Sequence, residues 1–169
     1  MQTNHSTPRR SVVTAIATVQ LLAIALWAGG LLALGALVAP VVFRAVPPPT
    51  NADAMTLIFH RFDSVAIACG AVALIAEAAF AARGGRVTRA DLARGLCLAG
   101  AVAFALAIGL WLAPGIADLH HSGAIRRVGD AGLALDRLHR FAEAFAKSEL
   151  LLLFAAFTLS VAKASRPLP

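Results

Sequence analysis

Charged residues are scarce in this sequence. Asp, Glu, Lys and Arg together make up 14 % of its 169 residues, whereas apolar residues make up 59 %. A soluble domain normally carries about 25 % charged residues, which cover its surface. This composition therefore excludes an ordinary water-soluble fold and predicts that lipid surrounds most of the chain.

The motifs of soluble enzymes are also missing. The sequence has no phosphate-binding glycine loop, no nucleophile elbow and no Cys-x-x-Cys pair. Cys69 and Cys97 both lie in apolar runs, where small packing residues are expected rather than a disulfide or a cysteine metal site. The basic residues behind the net charge of +6 flank the apolar runs, so nucleic acid is not an expected partner. No residue is predicted to be catalytic, and the sequence establishes no reaction, which favours a protein other than an enzyme.

Four long apolar runs dominate what is present. Each exceeds the roughly 20 residues that a spanning helix needs, and none shows the alternation of a strand. They predict an all-α fold, an integral membrane four-helix bundle with helices at about 12–43, 55–82, 92–113 and 137–163. The transmembrane domain would cover 12–163, between cytoplasmic tails at 1–11 and 164–169.

The distribution of basic residues predicts that both termini are cytoplasmic, because basic residues are more numerous on that side of a membrane. With this topology, the cytoplasmic side holds Arg9, Arg10, Arg83, Arg86, Arg89, Arg94, Lys163 and Arg166. The opposite side holds fewer, namely Arg44, Arg61, Arg126, Arg127, Arg137 and Arg140.

Polar residues near the outer ends of the helices share faces that are predicted to point inward, because lipid does not satisfy them. They form a candidate ligand or ion-pair cluster of Arg44, His60, Asp63, His139 and Glu143. A structural salt-bridge network and a ligand site both remain open. In the second interpretation, His60, Asp63, His139 and Glu143 would bind a metal ion of the zinc or copper type, or His60 and His139 would be axial ligands of haem.

A second group of polar residues lies deeper in the apolar runs: Gln20, Trp27, Glu77 and Lys147. Glu77 is expected to extend towards the membrane surface, to pair with Arg83 or to relay protons. Lys147 is expected to pair with Glu143 one turn away. Trp27 is interpreted as a packing residue against Gly29 and Gly30. Contacts between helices are expected at a stripe of small residues on helix three, Gly95, Ala99, Ala103 and Ala107.

Several of these segments resemble a known family. The stretch from Leu21 to Gly30, the Val-Ala-Pro-Val-Val-Phe-Arg segment ending at Arg44, and Phe59-His60-Arg61-Phe62-Asp63 are similar to the transmembrane protein 205-like family. Leu138-His139-Arg140 resembles its start of helix four. The resemblance implies four transmembrane helices in a cell inner membrane. A looser likeness, through Trp27-Ala28-Gly29-Gly30, links the chain to the membrane domain of copper resistance protein D, which usually has Ser at the position of Asp63.

Three hypotheses about function follow. The leading one is a membrane protein that binds or helps to move a small solute or metal ion at the outer mouth of the bundle. The second is a structural or assembly subunit that packs against other membrane subunits or against itself. The third is a haem-binding membrane protein. In each, the lipid bilayer is the first partner, and no cofactor other than a metal ion or haem is expected.

Overall fold

The computed structural model describes residues 7–48, 50–83 and 87–164, and no strand occurs among them. The predicted tails therefore lie partly outside the described residues, as do Arg86 and Arg166. The elements are α1 (Thr7–Ala33), a π-helical turn (Leu34–Val38), α2 (Ala39–Ala45), α3 (Thr50–Ala81), α4 (Arg89–Ala107), a second π-helical turn (Ile108–Leu112), α5 (Ala113–His121) and α6 (Gly129–Ala164).

These elements join into four continuous helices. The described part of the chain contains four helices that are long and apolar enough to cross a membrane: Ser11–Ala45, Thr50–Ala81, Arg89–His121 and Gly129–Lys163. The predicted all-α fold with four such helices is confirmed. Insertion in a membrane and the cytoplasmic position of the termini stay predictions.

The third of these helices is longer than the sequence predicts, because it continues through Pro114. A proline lacks the N–H that would bond to the carbonyl four residues earlier, and its ring crowds that carbonyl. Here the helix widens into the π turn Ile108–Leu112 and then resumes as α5, with Pro114 in its first turn. Pro40 follows the π turn Leu34–Val38 in the same way. The third connection is therefore only the short segment 122–128.

The helices form a ring in which α1 packs mainly on α3, and α4 mainly on α6. Contacts between α3 and α4, and between α1 and α6, close the ring. The side chains that meet inside are fully buried, among them Ile24, Trp27, Ala73, Leu98, Ala101, Leu153 and Ala156.

The stripe of small residues that was predicted to make contacts on the third long helix lies on α4, and the prediction is wrong at two of its four positions. Ala99 and Ala103 are exposed, while Arg94, Leu98, Ala101 and Ala105 are buried. Each residue of an α-helix turns by about 100°, so steps of four drift by about 40° and leave the packed face. The observed face alternates steps of three and four, which keeps it pointed at the neighbouring helices.

The connection before α6 is held by charge. Asp136, which is buried, accepts hydrogen bonds from the Nε atoms of Arg126 at 2.6 Å and Arg127 at 3.1 Å, and lies 3.5 Å from Nη2 of Arg140. Arg127 has φ of 67°, in the left-handed region that non-glycine residues rarely adopt. The backbone of this loop also approaches Gly132 so closely that a Cβ there would meet the carbonyl oxygen of Ile125.

Candidate functional site

A hydrogen bond between two fully enclosed side chains lies at the centre of the bundle. The indole Nε1 of Trp27 on α1 donates to Oε1 of Glu149 on α6 at 2.6 Å, and the two residues are 0 % and 2 % exposed. Gly70 on α3 makes room for the indole, since a Cβ at this position would lie 3.2 Å from the ring. Trp27 thus packs as predicted, but against Gly70, and it also orients a buried carboxyl.

Asp63 is the second carboxyl inside the bundle. It lies on α3, seven residues before Gly70, which is about 10 Å along a helix. Its Oδ2 atom is shielded from solvent and has no hydrogen-bond partner among the described residues. Gly109, in the π turn of the third helix, faces it: a Cβ at Gly109 would lie 3.8 Å from Oδ2.

Asp63 and Glu149 lie close enough to interact electrostatically, and Asp63 also interacts with His60. In the described part of the chain, neither carboxyl makes an ion pair with a basic side chain. Placing an ionised carboxylate in apolar surroundings costs several kcal/mol unless a cation or hydrogen bonds compensate it. A bound cation would supply this compensation to Asp63 and Glu149, which make no ion pair with a described basic residue.

The histidines gather at the mouth of the bundle. A cleft of about 330 Å³ between α3 and α5 is lined by Asp53, Thr56, Leu57, His60, Ala117, His120 and His121. His139 on α6 contacts the ring of His120 edge-on, with 5.8 Å between the ring centroids. His60 and His139 therefore both lie beside α5. His120 of α5 lines the cleft together with His60 and also contacts His139.

The structure separates other members of the predicted cluster. Arg44 is exposed at the end of α2 and makes no ion pair with a described residue. Glu143 is exposed too, and its Oε1 accepts a hydrogen bond from Nζ of Lys147 at 2.7 Å, as the spacing predicts. In the described residues, no three His, Cys, Asp or Glu side chains are arranged to hold a metal ion. The metal and haem interpretations thus stay predictions.

A dense polar network occupies the opposite end of the bundle. The carboxylate of Glu77 accepts two hydrogen bonds of 2.8 Å from Arg94 and one of 2.9 Å from Nε2 of Gln20. Arg94 is 2 % exposed and also lies 3.2 Å from Asp91. The predicted pair of Glu77 with Arg83 is therefore wrong, because Arg94 on the neighbouring helix reaches the carboxylate bidentately.

Asp91 extends this network to the fourth helix. It receives a 2.6 Å hydrogen bond from Nζ of Lys163 on α6. It also caps its own helix: the Thr88 hydroxyl accepts from the Asp91 N–H, and the Thr88 N–H donates to the Asp91 carboxylate. This capping box explains why α4 begins at Arg89. Side chains from all four long helices thus meet at this end.

Two central residues of these sites, Glu149 and Arg94, were not among the predicted site residues. The count of basic residues places Arg94 on the cytoplasmic side without a partner, whereas the structure buries it beside Glu77. A signal for Glu149 exists in the sequence. The buried positions of α6 recur at Glu149, Leu153, Ala156 and Ser160, the steps of four and three that mark one helix face.

Four apolar helices long enough to cross a bilayer, with charged groups enclosed between them, are typical of a multi-pass membrane protein. The chain belongs to the family described as Domain of unknown function (DUF4149), which matches residues 22–124. No curated protein and no solved structure matches the chain. The matched segment includes Trp27, Asp63 and Arg94, whereas Glu149 lies beyond it. The finer resemblance to the transmembrane protein 205-like family or to copper resistance protein D stays a prediction.

Proposed function

We propose that this chain is a multi-pass inner-membrane protein, with both termini cytoplasmic, that binds a small cation at Asp63 and Glu149 and helps to move it through the bundle. One observation carries the proposal. Two carboxyl side chains from different helices lie inside the bundle, near enough to interact, and neither is paired with a basic residue among those described.

Asp63 and Glu149 lack an ion-pair partner among the described residues that would compensate a negative charge. Ionisable groups within membrane helices are rare, and they normally pair or face a path for ions or protons. Elsewhere in this bundle the rule of pairing holds, as Glu77 and Asp136 show. Asp63 and Glu149 break the rule, so a mobile cation is the partner that we assign to them.

Polar side chains line the cleft that leads from the mouth of the bundle towards Asp63. His60 lines the cleft between α3 and α5 and lies one helical turn from Asp63, with which it interacts electrostatically. A cation that enters the cleft would meet imidazole and carboxylate groups of Asp53, His60 and His120 before it reaches Asp63. Imidazole and carboxylate groups are common ligands of metal cations.

The path beyond Glu149 is closed. Ile24, Leu98 and Leu153, all fully buried, belong to the apolar core that surrounds this level, and the network around Glu77 and Arg94 lies beyond them. Passage would therefore require a second conformation of the bundle.

The test is cation uptake by the purified protein in proteoliposomes, with Na⁺, K⁺, Zn²⁺ and protons assayed separately. Asp63→Asn and Glu149→Gln keep the shape of each side chain and remove its charge, so uptake of the transported cation should fall at least tenfold. Glu143→Gln is the matched control, because this exposed carboxylate lies on the same helix as Glu149. Uptake of none of these cations by the parent protein, or equal uptake by all variants, would refute the proposal.

A second candidate function is a structural or assembly subunit. Ala99 and Ala103 were expected inside the bundle but are exposed on α4, and small residues on a membrane helix permit close approach by another helix. Crosslinking through cysteines at these two positions in native membranes would test it. A chain that remains uncrosslinked and purifies as a monomer would count against this candidate.

A further inference from the structure

A sequence repeat links the first half of the chain to the second. Residues 32–40 read LALGALVAP, and residues 106–114 read LAIGLWLAP. Five of the nine positions are identical, including the glycine and the final Ala-Pro, and Leu34 and Val38 are replaced conservatively by Ile108 and Leu112. The tripeptide His-Arg-Phe recurs as well, at 60–62 in the second long helix and at 139–141 in the fourth.

The structure repeats where the sequence does. Both copies of the nine-residue segment contain a π turn, at Leu34–Val38 and at Ile108–Leu112, which are the same positions of the repeat. The buried faces agree too, since the buried residues Gln20, Ile24 and Trp27 of α1 occupy the same repeat positions as Arg94, Leu98 and Ala101 of α4. Gln20 and Arg94 even bind the same carboxylate, that of Glu77.

The packing of the long helices has the same two-fold character. Helix pair α1 and α3 corresponds to the pair α4 and α6, and the contacts of α3 with α4 match in extent those of α1 with α6. The bundle is therefore two related helix pairs side by side. Because the two π turns are equivalent, a difference between their surroundings can be attributed to the neighbouring helices.

The surroundings of the two π turns differ at one position. A Cβ at Gly35, in the first turn, would meet nothing within 4 Å. At the equivalent Gly109, in the second turn, a Cβ would contact Asp63, at 3.8 Å from Oδ2. Only the second turn therefore covers the unpartnered carboxyl oxygen.

A π turn before a proline is a weak point in a helix. The proline removes one backbone hydrogen bond, and single π turns within α-helices are rare and frequent at functional sites. Beyond this point α5 carries Ala117, His120 and His121, which form one wall of the cleft at the mouth. Bending at the turn would move this wall and Gly109 away from Asp63.

We infer that the π turn Ile108–Leu112 is the hinge of a gate: α5 swings about it and exposes Asp63 to the cleft at the mouth. Its counterpart at Leu34–Val38 has the same backbone but covers no carboxyl. The gate deepens the proposed function, because it gives the cation its access, but it is defined by exposure of Asp63 and needs no transported ion.

The experiment measures the reaction of Asp63 with a water-soluble carbodiimide and an amine in the purified full chain, followed by peptide mass spectrometry. Pro114→Ala restores a backbone donor and a regular helix, so labelling of Asp63 should fall several-fold. Pro40→Ala makes the same change in the other turn and should leave it unchanged. Asp118, exposed on α5, gives the internal reference in every sample.

A second pair of variants tests the gate without changing a proline, in case the proline variants do not fold. Gly109→Ala adds a methyl group at an ordinary contact distance from Asp63 and stiffens the turn, so it should also lower the labelling of Asp63. Gly35→Ala stiffens the equivalent turn in open space and should not. Equal labelling of Asp63 across both pairs, or equal loss in Pro40→Ala and Pro114→Ala, would overturn the gate. If Asp63 labelling falls in Pro114→Ala and Gly109→Ala alone, but the parent protein takes up no cation, the gate is upheld and the transport proposal is rejected.

Discussion

The two buried charged regions of this bundle follow opposite rules. At one end, Glu77 and Asp91 are each matched with cations, Arg94 and Lys163, by hydrogen bonds of 2.6 to 2.8 Å. Near the centre, the indole N–H of Trp27 donates to Glu149, and Oδ2 of Asp63 has no hydrogen-bond donor among the residues that the structure describes. Matched charges hold helices together, whereas unmatched charges destabilise a bundle that contains no ligand.

We therefore interpret the region around Glu77 and Arg94 as structural, and the region around Asp63 and Glu149 as the functional site. Arg94 ties α4 to α3, Lys163 ties α6 to α4, and Gln20 brings α1 to the same carboxylate. Removing a charge from this region leaves its partner buried and alone. Removing a charge from the centre relieves a repulsion between two carboxyls. Four measurements test this contrast.

The largest effect is expected for Arg94→Ala. Glu77 would lose its buried cation, and breaking a buried ion pair in this way costs about 3–5 kcal/mol. The free energy of unfolding in detergent micelles, measured by denaturant titration, reports the loss. Arg89→Ala removes an exposed arginine from the same helix and is the control. A loss in Arg94→Ala no greater than in Arg89→Ala would erase the contrast between the regions.

The next largest effect is the difference in unfolding free energy between two isosteric variants, Glu77→Gln and Asp63→Asn. Glu77→Gln leaves Arg94 with a weaker acceptor and should lower the free energy of unfolding by about 1.5–3 kcal/mol, the range for hydrogen bonds to charged groups. Asp63→Asn removes a carboxyl that makes no ion pair with a described residue, so stability should stay the same or rise. Both variants are measured by the same titration. A larger loss in Asp63→Asn than in Glu77→Gln would contradict the assignment of roles.

Trp27→Phe should have an intermediate effect. It removes the N–H that donates to Glu149 and leaves a buried acceptor unsatisfied, which costs about 1–3 kcal/mol. The matched control is Trp111→Phe, since Trp111 is 78 % exposed and should change stability little. If the two variants unfold at the same denaturant concentration, the indole does not hold Glu149 in place.

The smallest effect is expected for Lys147→Ala. Its pair with Glu143 is four residues apart on an exposed helix face, where such pairs contribute about 0.2–0.5 kcal/mol. The same titration, repeated at low and high salt, should show a small loss that high salt removes. A loss comparable to that of Arg94→Ala would mean that this surface pair is shielded by another molecule.

Much of the fold was accessible from sequence. Apolar runs far longer than a soluble core needs predict four helices in lipid, and the structure contains four helices of that length and composition. The pair of Glu143 with Lys147 was also predictable, because both residues belong to one helix and its geometry fixes their separation. The repeat of Leu-Ala-x-Gly and Ala-Pro is also present in the sequence, and the two π turns lie at the same positions of it.

The partners across the bundle were not accessible. Glu77 pairs with Arg94 rather than with Arg83, although Arg83 is nearer in sequence, and Glu149 binds Trp27 from the far end of the chain. Such contacts depend on the rotation of each helix about its axis, and a drift of about 40° per step of four moves a residue from an inner face to an outer one. Glu143 and Ala99 were misplaced for this reason.

The sequence by itself determined that this protein consists of long apolar helices, because the length and composition of each run are local properties. Only the tertiary structure decided which charges are matched and which are not. That outcome depends on helix rotation and depth, which are set by how small side chains such as Gly70 let neighbouring helices and the Trp27 ring approach one another.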